Sequence, residues 1–135
     1  MKEEWPPEVI VTYLRKFGGD PEAIVTFDAK GISAHPNHIA TYYGVKAYMA
    51  ELRNESRHKV PRFYVLTTTH ILRKFAGVLD LCWTKWSVDP EYVSIVPLEH
   101  MFAAFSAMRR HASQLVWFRY LFVFFSRYAY VNSYE

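Results

Sequence analysis

Arg62-Phe63-Tyr64-Val65-Leu66-Thr67-Thr68-Thr69, at residues 62–69, can be read two ways, and the fold class follows from the choice. Its β-branched and aromatic residues have the composition of a strand. Yet Phe63, Leu66, Thr67 and Ile71 recur at helical spacing, as do Phe63, Leu66, His70 and Lys74. No tight turn nearby offers a partner strand. A helix is therefore expected over residues 62–81.

Helix punctuation dominates the rest of the chain. Pro6-Pro7-Glu8 opens a first helix, with proline near the first turn and an acid on the positive end of the dipole. Val9, Ile10, Tyr13, Leu14 and Phe17 follow at helical spacing, and Gly18-Gly19 stops it. Asp20-Pro21-Glu22 starts a second short helix, expected to run to about Lys30. A third runs from near Pro36 to about Asn54. Asp89-Pro90-Glu91 repeats the capping device and begins a short helical piece ended by Pro97. Residues 98–130 contain neither Gly nor Pro, so they read as one helix of roughly 45–50 Å at 1.5 Å per residue. The expectation is an all-α fold: two short N-terminal helices, then a helical bundle with a long C-terminal helix. At 135 residues the chain has the length of one domain. Residues 1–34 would form a helix-turn-helix arm, and residues 35–135 the bundle.

Charge is unevenly distributed. Between Lys30 and Lys74 eight basic residues face two acids, Glu51 and Glu55, inside a chain whose net charge is +3. Such a patch attracts polyanions. Its densest part is the connector Arg53, Arg57, Lys59 and Arg62, with Asn54 and Ser56 as short hydrogen-bonding neighbours suited to phosphate. The opposing reading is a solvated loop, which also collects charge. Arg15-Lys16 and Arg73-Lys74 lie near the ends of expected helices, where they complement the dipole whatever else they do.

Catalytic signals are weaker. Cys82 is alone, so there is no disulfide framework, and its apolar neighbours suggest a buried small hydrophobe. His35-Pro36-Asn37-His38 could place two imidazoles near one ion, but no Asp, Glu or Cys completes a ligand set nearby in sequence. There is no phosphate loop, and two of the available acids are explained by capping. No catalytic residue, metal site or cofactor is assigned, and the chain is not expected to be an enzyme.

The C-terminal run is apolar on nearly every side. Only Arg119 interrupts residues 115–125, and a helix of that kind is normally covered all round. Trp117, Phe118, Leu121, Phe122, Phe124 and Phe125 are the candidate subunit or lipid interface. A membrane span is not expected, because no charge-free window of ~18 residues occurs. No signal peptide is expected either, since the N-terminus is acidic and broken by prolines. One Gln and three Asn make a low amide count, which fits a thermophilic origin.

Two short strings, Tyr43-Gly44-Val45-Lys46-Ala47 and Phe17-Gly18-Gly19-Asp20-Pro21-Glu22, are similar to strings in the major coat proteins of filamentous archaeal viruses, the rudiviruses and lipothrixviruses. The expected architecture resembles those coats as well. The resemblance implies a structural capsid protein of the virion that forms a helical filament around double-stranded DNA. It implies oligomers with itself or a homologous coat protein, and in some members a lipid envelope. Arg15, Lys16, Lys30, Lys46, Arg53, Arg57, Lys59, Arg62, Arg73 and Lys74 would then line the DNA. The acidic N-terminal segment departs from that picture. The alternatives are a small helical DNA-binding regulator, in the cytoplasm, and a peripheral membrane protein using the aromatic helix.

Overall fold

The computed structural model describes residues 5–17, 19–55 and 60–135. The chain packs as two compact units. One comprises the residues up to Thr68 together with Glu135; the other is Thr69–Tyr134.

The first unit is built on a parallel strand pair. Helix α1 (Pro7–Phe17) and helix α3 (Pro36–Asn54) match the sequence expectation. The segment between them does not. Strand β1 (Ala23–Phe27) stands where a second helix was expected. Asp20-Pro21-Glu22 looks like a helix cap, but Ile24, Val25, Thr26 and Phe27 are β-branched or aromatic, and they fit a pleated surface better than a helical turn. Strand β2 (Arg62–Leu66) pairs with β1 in parallel, from Ala23 opposite Arg62 to Phe27 opposite Leu66. The helix expected over 62–81 is thus overturned, and with it the all-α class. The partner strand was never going to be next door: a parallel pair needs a long crossover, and α3 supplies it.

Val45, Tyr48, Met49 and Leu52 of α3 form the buried core of this unit. Ile10, Val11 and Leu14 of α1 pack against it, as do Ile24 and Phe63 of the strands. Gly44 lets α1 and α3 touch: a Cβ there would lie 2.4 Å from the Cβ of Ile10.

The second unit contains α4 (Ile71–Lys74), α5 (Asp80–Ser87), β3 (Val93–Ile95), α6 (Ala103–Arg110), α7 (Trp117–Phe125) and β4 (Val131–Ser133). Strands β3 and β4 are antiparallel, with Val93 opposite Ser133. The single long C-terminal helix is also overturned. It breaks after Arg110, turns at Ala112–Gln114, resumes as α7 and ends at Ser126. Absence of Gly and Pro does not make a helix; aromatic and β-branched residues hold one weakly.

Beyond Ser126 a buried polar contact holds the chain. Arg127, fully buried, donates from Nε to Asp80 at 2.6 Å and from a terminal nitrogen to Thr84 at 3.1 Å. Arg73 grips the same carboxylate at 2.8 and 3.0 Å. Burial pushes the Asp80 carboxyl up, but the hydrogen bonds from Arg73, Thr84 and Arg127 outweigh it and leave it below its ordinary value. Cys82, expected to be buried, is exposed on α5. Among the described residues no helix is long and apolar enough to cross a membrane.

Candidate active site

The parallel register brings the carboxyl ends of β1 and β2 to one edge. In α/β sheets that edge is where ligands bind. Asp28 follows β1 and Thr68 lies just beyond β2, and the two are bonded twice. The amide of Thr68 donates to one Asp28 oxygen at 2.7 Å, and its hydroxyl to the other at 2.6 Å. Asp28 also accepts from the Lys30 amide at 3.1 Å. Burial pushes the Asp28 carboxyl up; the bonds from Thr68, Lys30 and Gly31 outweigh this and hold it below its ordinary value.

This clasp secures a tight turn. In α2 (Gly31–Ala34), Gly31, Ile32 and Ala34 all have positive φ, at 58°, 61° and 54°. Ile32, with ψ −43°, lies near the strained γ-turn region. A β-branched residue at positive φ is rare and must be held there by its surroundings. Here its amide donates to the Thr68 hydroxyl oxygen at 2.9 Å. Gly31 is required both for its φ and for space, because a Cβ would lie 2.9 Å from Ile39 and 3.0 Å from His38.

The turn delivers two histidines to the start of α3. His35 is the helix cap: its Nδ1 accepts from the Asn37 amide at 3.2 Å. His38 stacks on Phe27 at 4.0 Å between ring centres, and its Nδ1 lies 3.1 Å from the carbonyl oxygen of Gly31. The two imidazoles are 4.8 Å apart and half-buried.

Their partners settle the neutral tautomers. A carbonyl oxygen only accepts, so His38 carries its proton on Nδ1 and presents a lone pair at Nε2. An amide only donates, so His35 has its lone pair on Nδ1 and presents an N–H at Nε2. The pair thus offers one acceptor and one donor on rings whose centres are 4.8 Å apart. A carbonyl behind the distal nitrogen is also the usual support of a metal-binding histidine. Among the described residues no three or more His, Cys, Asp or Glu gather as a metal site.

The basic residues singled out from sequence are placed differently. Arg57 and Lys59 lie outside the described residues. Arg15 is turned onto Glu51 and Glu55 at 2.8 and 2.7 Å, which raises its pKa above the ordinary value. Lys16, Lys46 and Arg62 are exposed, each over an aromatic ring, of Phe17, Tyr42 and Tyr64. Lys30 and Arg53 are exposed. Arg73 is committed to Asp80, and Lys74 is buried. Trp117, Phe118, Leu121, Phe122, Phe124 and Phe125 are all exposed on α7.

The chain is similar to sugar–lipid de-N-acetylases. A Dictyostelium discoideum protein named as a probable N-acetylglucosaminyl-phosphatidylinositol de-N-acetylase is 32% identical over 93% of this chain and 58% of its own length. The Bos taurus protein of that name is 37% identical over 82% of this chain and 42% of itself. A Schizosaccharomyces pombe protein, again named as probable, is 30% identical over 95% of this chain and 52% of itself. The chain therefore spans about half the length of the curated relatives it matches. No family model matches, and no solved structure matches.

These relatives overturn the coat-protein resemblance. The expectations of a structural virion protein, of a thermophilic archaeal virus, of double-stranded DNA and coat-protein partners, and of a non-enzyme are corrected with it. So is the alternative of a DNA-binding regulator. The virion location, with its cytoplasmic alternative, also falls: the relatives are enzymes named for a phosphatidylinositol-linked sugar.

Proposed function

We propose that this chain supplies the imidazole pair of a site that removes the acetyl group from N-acetylglucosaminyl-phosphatidylinositol. The observation that carries the reading is the opposite polarity of His35 and His38 at the carboxyl edge of the parallel pair. The relatives' names supply the reaction and the substrate.

Amide hydrolysis adds water to the acetyl carbonyl, breaks the C–N bond, and releases acetate and an amine that gains a proton. It needs an acceptor for the water's proton and a donor for the oxygen that takes up negative charge. His38, fixed by Phe27 and the Gly31 carbonyl, is the acceptor through Nε2, and His35, on the neighbouring ring, is the donor through Nε2–H. A divalent cation, where one is bound, supplies an activated water. Were such a cation held here, the Nε2 lone pair of His38 would be used as one of its ligands instead of on the water's proton, and the other ligands are not gathered around it among the described residues.

The test is acetate release from N-acetylglucosaminyl-phosphatidylinositol, by the chain alone and by the Dictyostelium relative with this chain in place of its matching segment. His38→Ala should lower kcat by about 10²–10⁴-fold. His35→Ala should lower it by about 10²–10³-fold, the cost of losing one donor to an oxyanion. No activity in either setting, or full activity in both variants, would overturn the reading.

A further inference from the structure

We propose that α7 docks onto an anionic membrane surface, lying in the headgroup region rather than crossing it. The proposal stands apart from the hydrolytic reading and needs none of its residues.

At about 100° per residue, Phe124, Trp117, Leu121, Phe125, Phe118 and Phe122 fall, in that order, on one continuous arc of roughly 160° around the helix. Val123, the buried residue of α7, projects from the opposite side. The helix therefore has an inward face of one valine and its neighbours, and an outward face made entirely of large apolar side chains. Trp117 keeps 76% of its surface exposed. Phe75 joins Phe118, Leu121, Phe122 and Phe125 in lining a shallow groove on the same side.

Charge selects the occupant. Between Glu99 and Glu135 the chain has no acid. Arg109 and Arg110 are exposed at the end of α6, whose Phe105 packs on Tyr120 and Phe124 of α7. Arg119 lies beside the apolar arc and is partly exposed. A second copy of the chain would bring the same positive charges against themselves across a two-fold contact. A bilayer carrying phosphatidylinositol meets both halves of the pattern: aromatic side chains enter the acyl boundary and arginines reach the anionic headgroups. At nine residues α7 is far too short to span the ~30 Å hydrocarbon layer, so it lies in the interface plane.

The experiment is sedimentation of the full chain with sucrose-loaded vesicles of phosphatidylcholine, with and without about 30 mol% phosphatidylinositol. Binding to the anionic vesicles should be roughly tenfold tighter than to the neutral ones and should weaken with salt. Phe118→Glu and Phe122→Glu should each reduce it about tenfold or more, with far-UV helicity retained. Arg109→Ala with Arg110→Ala leaves the apolar arc intact and should remove the preference for anionic vesicles. In the wild type, brominated lipids should quench the part of the emission that Trp117→Phe deletes. Equal binding to both vesicles, undiminished binding by the glutamate variants, or no binding would overturn the proposal. So would a stable dimer, abolished by Phe118→Glu, that ignores vesicles.

Discussion

Replacing Thr68 with valine keeps the side chain's shape and deletes its hydroxyl. That oxygen does two things: it donates to Asp28 at 2.6 Å and accepts from the Ile32 amide at 2.9 Å. A hydrogen bond to a charged group contributes about 1.5–3 kcal/mol, and a neutral one about 0.5–1.5. Both sites are only partly buried, so water recovers a share, and the expected loss is about 2–3 kcal/mol. The Thr68 amide still donates to Asp28, so the strand pair should survive. What should fail is the hold on a β-branched residue at φ 61°. Relaxed toward ordinary backbone angles, the turn carries His35 and His38 out of place, and misplacement on the 1 Å scale costs up to about 10²-fold in rate. Two assays check this: the urea midpoint, and exchange protection of the Ile32 amide against that of the β2 amides. An unchanged midpoint together with unchanged Ile32 protection would refute the claim that Thr68 holds the turn.

Three further outcomes follow from the packing. Gly44→Ala places a Cβ 2.4 Å from that of Ile10, and neither atom can rotate away. Overpacking at the upper end of the usual range, about 3 kcal/mol, should exceed the ~1 kcal/mol gained in helix propensity, for a net loss of about 2 kcal/mol by chemical denaturation. Asp80→Ala leaves Arg127 fully buried without its carboxylate and should cost about 3–5 kcal/mol, measured the same way. Asp28 and Asp80 both have folded pKa values below their ordinary 3.8. The stability they contribute is complete above that value and is lost as pH falls through the lower folded values, so acid titration of Asp28→Asn should show a smaller loss than wild type.

Helices α1 and α3 were legible because local punctuation decides them: prolines at the start, an apolar stripe and a stop. Strand β1 was hidden by Asp20-Pro21-Glu22, a cap whose helix never forms. Strand β2 was recognisable in composition, but its partner lies 39 residues upstream (62 minus 23), beyond any local signal. The candidate site suffered for the same reason. The spacing of His35 and His38 was visible, yet Asp28 and Thr68 become neighbours only once the strands pair. The basic belt misled in the opposite way. Its charges look unopposed along the sequence, while in space Arg73 meets Asp80, an acid beyond the belt. Two strand-like runs flanking a helix, with the histidines just after the first, were the signal that could have located the site.

The crossover that joins the two strands also sets an order of events during folding. Closing a 39-residue separation by chance contact is slow, because the entropy of the intervening chain must be lost before any strand bond forms. Helix α3, at 19 residues about 28 Å long, turns about half of that separation into a rigid strut once it docks on α1. Strand pairing then becomes a late, short-range step. The Asp28–Thr68 clasp cannot form before it. The histidine turn is therefore among the last parts of the first unit to assemble and among the first to open, so a chain caught part-way through folding would hold its helical core without a formed site.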